Sequence, residues 1–323
     1  MNVTAYDFLN AFFSEKLRSV EEMLYNSMAT LTKLRSIEDA KKMLSSGKRI
    51  RALLSLLSFA LCENFDTDVE IRAAATIELI HNATLMHDDV IDENYIRRGK
   101  PNIKSIYGNR ISVLTGDFLL SVAFEIILEC KNLSVVLLLS KTAKQLSEGE
   151  ILQLQSIGEI VSESEYLEVI ARKTAVLFSA AAEIAAILTD KHEYIVVLRE
   201  IGFLIGMAFQ IVDDVLDYGE SKEVGKNVGN DFRECKFTLP CVIAYRDAKS
   251  EAAKKFWREV FFTEKKDIQE ARFFMYEVDA LAKAMKVARD YLSKAEEKLS
   301  IFENSASLFT MKTFLRYAVE RPY

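Results

Sequence analysis

Only 11 Gly and 3 Pro interrupt 323 residues, and this scarcity constrains the fold more than any other feature. Gly and Pro supply most turns and strand ends, so a chain with so few is built from long helices. Apolar residues recur three and four apart through 3–28, 51–62, 69–92, 111–130 and 135–155, and again through 166–188, 193–218, 239–248, 278–302 and 311–319. That is the period of helices burying one face, and it predicts about ten of them. Half of the residues are hydrophobic, enough for a large core. With no linker, repeat or low-complexity stretch, the expectation is all-α, with residues 1–323 as one domain.

The net charge of −6 argues against nucleic acid, which needs a basic face; any phosphate site must be local. Cys62, Cys130, Cys235 and Cys241 lack metal or redox spacing and are expected to be reduced, mostly core thiols of a cytoplasmic protein. The first 18 residues contain Asp7 and Glu15 without a continuous apolar run, so no signal peptide is expected. The apolar stretches 175–188 and 195–212 are interrupted by Glu183, Arg199 and Glu200, and are expected to be core helices rather than membrane spans.

Two Asp-Asp-x-x-Asp clusters, Asp88/Asp89/Asp92 and Asp213/Asp214/Asp217, fall on apolar helical stretches. Residues four apart share a helix face, so each outer pair forms a claw of mutually repelling carboxylates. Hard oxygen donors favour Mg²⁺, with Mn²⁺ as a substitute, and Mg²⁺ binds through one or two carboxylates plus substrate phosphates. A solvated helix end is the bland alternative for either cluster alone; two such clusters in one chain favour a site. His81 and His87 lie near the first cluster, but no third ligand stands at a zinc spacing. His81 is expected to donate a hydrogen bond to an anion, and His87 to be a satisfied residue of the core or one that supports the site from behind.

A second diphosphate would need a site of its own. In Gly47-Lys48-Arg49-Ile50-Arg51, Lys48 and Arg51 lie three apart at the start of a helix whose N-terminus adds partial positive charge. Arg97 and Arg98 follow the first aspartates at a Gly99 turn, and their planar forks suit phosphate oxygens. Lys173, Thr174, Gln210, Lys226 and Lys236 are further polar candidates around the second cluster.

The stretches GKRIRALL at 47–54, HNATLMHDDVIDENYIRRGKP at 81–101, YGNRISVLTGDFLL at 107–120, RKTAVLF at 172–178, FQIVDDVLDY at 209–218 and GKNVGNDFRECKFTLP at 225–240 together resemble the trans-isoprenyl diphosphate synthase family, the polyprenyl synthetases, and within it the long-chain branch. The resemblance implies a single helical bundle around a central cavity, usually as a homodimer. It implies that Asp88, Asp92 and Asp213 bind Mg²⁺ bridging the allylic diphosphate, supported by Asp89, Asp214 and Asp217. Arg97, Lys173, Lys226 and Lys236 would hold that diphosphate, of a farnesyl or geranylgeranyl starter. Lys48, Arg51, His81 and Arg98 would hold isopentenyl diphosphate. Thr174 and Gln210 would stabilise the allylic cation, and the released diphosphate would take the proton lost after 1′-4 condensation.

In this family, aromatic residues four or five positions before the first aspartate motif stop elongation early. Here those positions are Thr84 and Ala83, which leave the path open. An octaprenyl product for a quinone side chain is expected, with the stop set deeper, by residues such as Phe118 or Phe124, and with transient membrane contact for product release. The chain departs from the family at Ser46 and Cys235, where Gly is frequent, and at Ala52, where Pro is frequent. A terpene cyclase would not need Lys48, Arg51 and Arg98, and a non-catalytic prenyl-binding subunit would not need both clusters intact. A farnesyl or geranylgeranyl synthase is the shorter-product alternative.

Overall fold

The computed structural model describes residues 5–28, 36, 38–40, 47–63, 66–92, 95–97, 100–219, 229–262 and 267–319. Arg98 and Lys226 lie outside them. Sixteen α-helices occur among the described residues: α1 (Ala5–Phe12), α2 (Ser14–Ser27), α3 (Ile50–Leu61), α4 (Thr67–Ile91), α5 (Ile103–Tyr107), α6 (Asn109–Leu128), α7 (Leu133–Gln155), α8 (Glu163–Ile170), α9 (Val176–Leu188), α10 (His192–Asp217), α11 (Asn230–Arg233), α12 (Leu239–Arg246), α13 (Glu251–Glu259), α14 (Ile268–Glu277), α15 (Ala280–Lys298) and α16 (Ala306–Val319). The only strands among these residues, Ile96–Arg97 and Lys100–Pro101, form an antiparallel ribbon. The all-α expectation therefore holds.

Helical periodicity located the long elements to within a few residues. It missed the break at Phe13 between α1 and α2, and the π-turn at Ala171–Ala175 between α8 and α9. It also missed α5, α11, α13 and α14, which are short and whose starts are set by local chemistry. Ser250 accepts the Ala253 N–H to begin α13, and Asp267 accepts those of Gln269 and Glu270 to begin α14.

The described chain falls into two compact units. The first comprises Met1–Ala143, Leu177–Gly202 and Phe302–Phe314. At its centre α4 is buried nearly all round, packing on α2, α3 and α6 through Ile71, Ala74, Ile77 and Met86. Asp66 caps the start of α4 by accepting the Asp68 and Val69 N–H groups at 3.1 and 3.3 Å. The second unit comprises Lys144–Val176, Phe203–Ile301 and Leu315–Tyr323. Its core gathers Tyr218, Phe232, Phe237 and Trp257, the last two meeting edge to face at 6.0 Å.

Two helices, α6 and α10, are long and apolar enough to cross a membrane by length and composition. Each buries about half of its most apolar window, 44% and 50%, as core helices also do. The apolar stretch at 175–188 yields only the 13-residue α9, too short to span hydrocarbon.

A salt-bridge cluster on the second unit gives a pH-dependent contribution to stability. Asp247 accepts from Arg246 Nε at 2.9 Å and from Lys283 Nζ at 2.6 Å, and these cations lower its pKa to about 2. Because the folded value lies below the unfolded one, the stabilisation is complete above about pH 4 and drains away as pH falls towards 2. Solvent screening limits it to about 1–2 kcal/mol. Urea unfolding of Asp247→Asn should show that deficit at pH 7 and a shrinking one below pH 4; a pH-independent deficit would exclude the ionic origin.

Candidate active site

In the first unit, α4 carries Asp88 and Asp89 in its last turn and ends on Asp92, whose N–H donates to the Asp88 carbonyl at 2.8 Å. A helix C-terminus presents partial negative charge, so three carboxylates there are electrostatically costly without a cation. Asp88 and Asp92 are half-buried, whereas Asp89 is fully buried. Its Oδ1 accepts from Arg97 Nε and Nη2 at 2.9 and 2.7 Å. Asp89 thus anchors Arg97, and with it the short ribbon, beside the other two carboxylates. His87 turns the other way, towards the Val113 carbonyl and Asp117 on α6 at 3.2 and 3.3 Å. Gly116 leaves room for that ring, since a Cβ there would lie 2.3 Å from Nε2.

The basic segment at 48–51 opens α3 in the same unit. Arg49 sits at the N-cap in the left-handed region (φ 50°), with its side chain buried 3.4 Å from Glu21 and 3.6 Å from Glu78. Glu78 also accepts the Ala52 N–H at 3.1 Å, a bond that the family's frequent Pro could not donate. Arg51 Nη1 donates to His81 Nε2 at 3.2 Å, and its guanidinium lies 4.5 Å above the Phe178 ring. Because Arg has only donors, this nitrogen of His81 accepts and orients Arg51, which leaves the proton on the other ring nitrogen. Lys48 is exposed, with Nζ 5.9 Å from the Tyr6 ring centroid.

In the second unit the other cluster closes α10, again at a negative helix end. Asp213 is half-buried and Asp214 buried. Asp214 accepts from Tyr166 Oη at 2.6 Å and Gln210 Nε2 at 2.7 Å. Asp217 accepts the backbone N–H groups of Gly229, Asn230 and Asp231 at 3.0–3.2 Å, so it ties down the start of α11. Neither of these supporting aspartates points its oxygens freely at a metal. Asp231, which the sequence reading passed over, joins them: burial and the nearby Asp217 push its pKa up to about 7. Burial raises Asp214 and Asp217 as well. Only the chain's return at 229–231 assembles this carboxylate group, so helical spacing could not reveal Asp231.

Thr174 Oγ1 donates to Gln210 Oε1 at 2.7 Å, bringing together the two oxygens singled out in the sequence. Thr174 and Lys173 belong to the π-turn, a distortion frequent at functional sites. Lys173 Nζ reaches Glu150 Oε2 at 2.7 Å and Gln153 Oε1 at 2.6 Å on α7. Lys236, with only 9% of its side chain exposed, pairs with Glu234 at 2.7 Å. Before it, Cys235 adopts φ 58°, which explains why Gly is frequent there and costs this chain about 1 kcal/mol. Arg272, also unforeseen, donates Nε to the Tyr218 carbonyl at 2.9 Å and Nη2 to that of Gly219, capping the end of α10 with positive charge.

Among the described residues no three or more His, Cys, Asp and Glu side chains converge into a metal cage. The donors fit a hard divalent ion that completes its shell with substrate phosphates: carboxylates only, at negative helix ends. Burial also pushes the Cys62 and Cys241 thiols up, to about 11 and about 12, which keeps them protonated and inert. None of the four cysteines forms a disulfide.

A site of this kind, on this succession of helices, is that of an isoprenoid synthase. Residues 36–278 match the family model described as "Polyprenyl synthetase", and the chain belongs to that family. It is 36% identical over 283 residues to an octaprenyl diphosphate synthase of Haemophilus influenzae, covering 86% of this chain and 85% of that one. The fold matches the crystal structure of a decaprenyl diphosphate synthase from Rhodobacter capsulatus with a TM-score of 0.91 and 35% identity, over 98% of this chain and 99% of that one. It matches equally a polyprenyl synthase from Caulobacter crescentus complexed with calcium and isoprenyl diphosphate, with a TM-score of 0.91 and 32% identity over 99% of both chains. The protein is a polyprenyl diphosphate synthase, a prenyltransferase of isoprenoid biosynthesis whose family binds divalent metal.

Proposed function

We propose that the enzyme makes octaprenyl diphosphate, for a quinone side chain, by successive 1′-4 additions of isopentenyl diphosphate to a farnesyl or geranylgeranyl starter. The observation that carries the chain length is the pair of small side chains before the first cluster: Ala83 is buried, and the Thr84 hydroxyl is turned back onto the His81 carbonyl at 2.7 Å. Neither obstructs a growing chain. Phe118 and Phe124 on α6 are both half-buried, in keeping with a stop set farther along.

Residues 1–323 act as one catalytic domain, and both clusters serve one allylic diphosphate. Asp88, Asp92 and Asp213 would hold Mg²⁺, with Mn²⁺ able to replace it; when bound, the metal neutralises charge gathering on the departing diphosphate. Asp89, Asp214 and Asp217 support by fixing Arg97, Gln210 and the 229–231 backbone. Arg97, Lys173, Lys226 and Lys236 grip the same diphosphate. Each of the three described cations is pre-aimed by a carboxylate, respectively Asp89, Glu150 and Glu234. Lys48, Arg51, His81 and Arg98 hold isopentenyl diphosphate. Ionisation leaves an allylic cation, which the Thr174 and Gln210 oxygens stabilise while apolar walls exclude water. The isopentenyl double bond attacks it, and the released diphosphate takes the proton.

The working enzyme is a cytoplasmic homodimer. Leu114 on α6 and Leu133 and Leu137 on α7, 62%, 81% and 55% exposed, offer apolar surface for a second copy, and light scattering should give twice the chain mass. Release of so apolar a product involves transient membrane contact. The decisive experiment incubates purified protein with farnesyl diphosphate, labelled isopentenyl diphosphate and Mg²⁺, then separates the product alcohols. A forty-carbon alcohol is expected. A fifteen- or twenty-carbon product would overturn the long-chain assignment, and absence of incorporation the synthase activity itself.

A further inference from the structure

The geometry points to Tyr166 as a positioning residue that acts through Asp214 to fix which end of the Gln210 amide faces the reacting cation. This inference rests on the role proposed above for Thr174 and Gln210. Four side chains form a hydrogen-bonded relay: Tyr166 Oη donates to Asp214 Oδ2 at 2.6 Å, Gln210 Nε2 donates to Asp214 Oδ1 at 2.7 Å, and Thr174 Oγ1 donates to Gln210 Oε1 at 2.7 Å. Tyr166 and Asp214 are buried, 5% and 2% exposed.

A primary amide can present either its oxygen or its NH₂ group in a given direction, and the two ends have opposite effects on a carbocation. Oxygen stabilises it; NH₂ repels it. A carboxylate accepting at Oδ1 selects the orientation in which NH₂ points inward to Asp214, which leaves Oε1 on the Thr174 side. The Tyr166 hydroxyl holds the other oxygen of the same carboxylate, so Asp214 cannot rotate away without losing a buried hydrogen bond.

The local backbone serves this arrangement. Gln210 and Asp214 lie one turn apart on α10, the spacing at which Gln and Asp side chains meet. Tyr166 and Thr174 are eight residues apart, which on a regular helix would offset them by about 80°. The π-turn at Ala171–Ala175 widens one of the two intervening turns by about one residue, so two turns span about eight residues and both side chains face α10.

The test is a double-mutant cycle on the full-length enzyme, assayed with farnesyl diphosphate, isopentenyl diphosphate and Mg²⁺. Tyr166→Phe should lower kcat about tenfold while both KM values and the Mg²⁺ midpoint stay close to wild type. In a Gln210→Ala background, where no amide remains to orient, the same substitution should change kcat less than about twofold. An undiminished loss in that background, or no loss in the single variant, overturns the inference. Asp214→Asn provides a second entry into the same cycle should Tyr166→Phe fail to fold. An inactive wild type would instead defeat the proposed function, so the two failures are distinguishable.

Discussion

Alanine at Asp88 or at Asp213 is expected to lower kcat/KM by about 10²–10³-fold while leaving the helical circular dichroism spectrum unchanged. On the roles proposed above the loss is large because each carboxylate would help to hold the cation that faces charge developing on the leaving diphosphate, and one such electrostatic contact is worth about 3–4 kcal/mol. The fold should survive because both side chains are half-buried at helix ends, where removing a negative charge relieves repulsion with the helix dipole. Asp89→Ala should behave differently: it leaves Arg97 without the acceptor that both its Nε and Nη2 use, and it opens a buried gap. Steady-state kinetics with a Mg²⁺ titration separates the cases. Near wild-type turnover in Asp88→Ala or Asp213→Ala would remove that residue from the metal site.

Alanine at Gly149 should disable the enzyme by a different route. A Cβ there would lie 2.5 Å from the Lys173 amide nitrogen and 2.8 Å from the Arg172 carbonyl carbon. Both are backbone atoms of the π-turn, so no side-chain rotation relieves the clash. Helix α7 and the π-turn must separate, which breaks the reach of Lys173 to Glu150 and Gln153 and displaces Thr174 from Gln210. Overpacking of this kind costs about 1–3 kcal/mol, and a displacement of about 1 Å at a reacting centre costs on the order of 10²-fold in rate. Thermal melts and kcat on one preparation check both effects. Gly116→Ala is the contrasting case, since its Cβ would meet only the His87 ring, which can swing aside; it should cost far less. Equal behaviour of the two variants would refute the backbone argument.

These expectations differ in how far the sequence could reach them. Spacing was enough to place Asp88 with Asp92 and Asp213 with Asp217, because one helical turn is a local property. It could not divide the labour among the six aspartates. Asp89, Asp214 and Asp217 carry the same chemistry as their neighbours, yet Arg97, Tyr166 and the 229–231 backbone occupy them, and those partners come from elsewhere in the chain. Asp231 and Arg272 were not singled out by spacing, one lying on the four-residue α11 and the other on the short α14.

The sequence by itself determined the all-α class, the long helices and the family, because scarce Gly and Pro, a helical apolar period and motifs in fixed order are all written along the chain. It also exposed the odd residues at 52 and 235. Only the tertiary structure decided that His81 accepts from Arg51, that Cys235 bears a left-handed backbone, and that the π-turn aligns Tyr166 with Thr174. The physical reason is shared: a hydrogen bond or a close backbone approach depends on distance and direction between segments far apart in sequence, and periodicity within one segment carries no information about either.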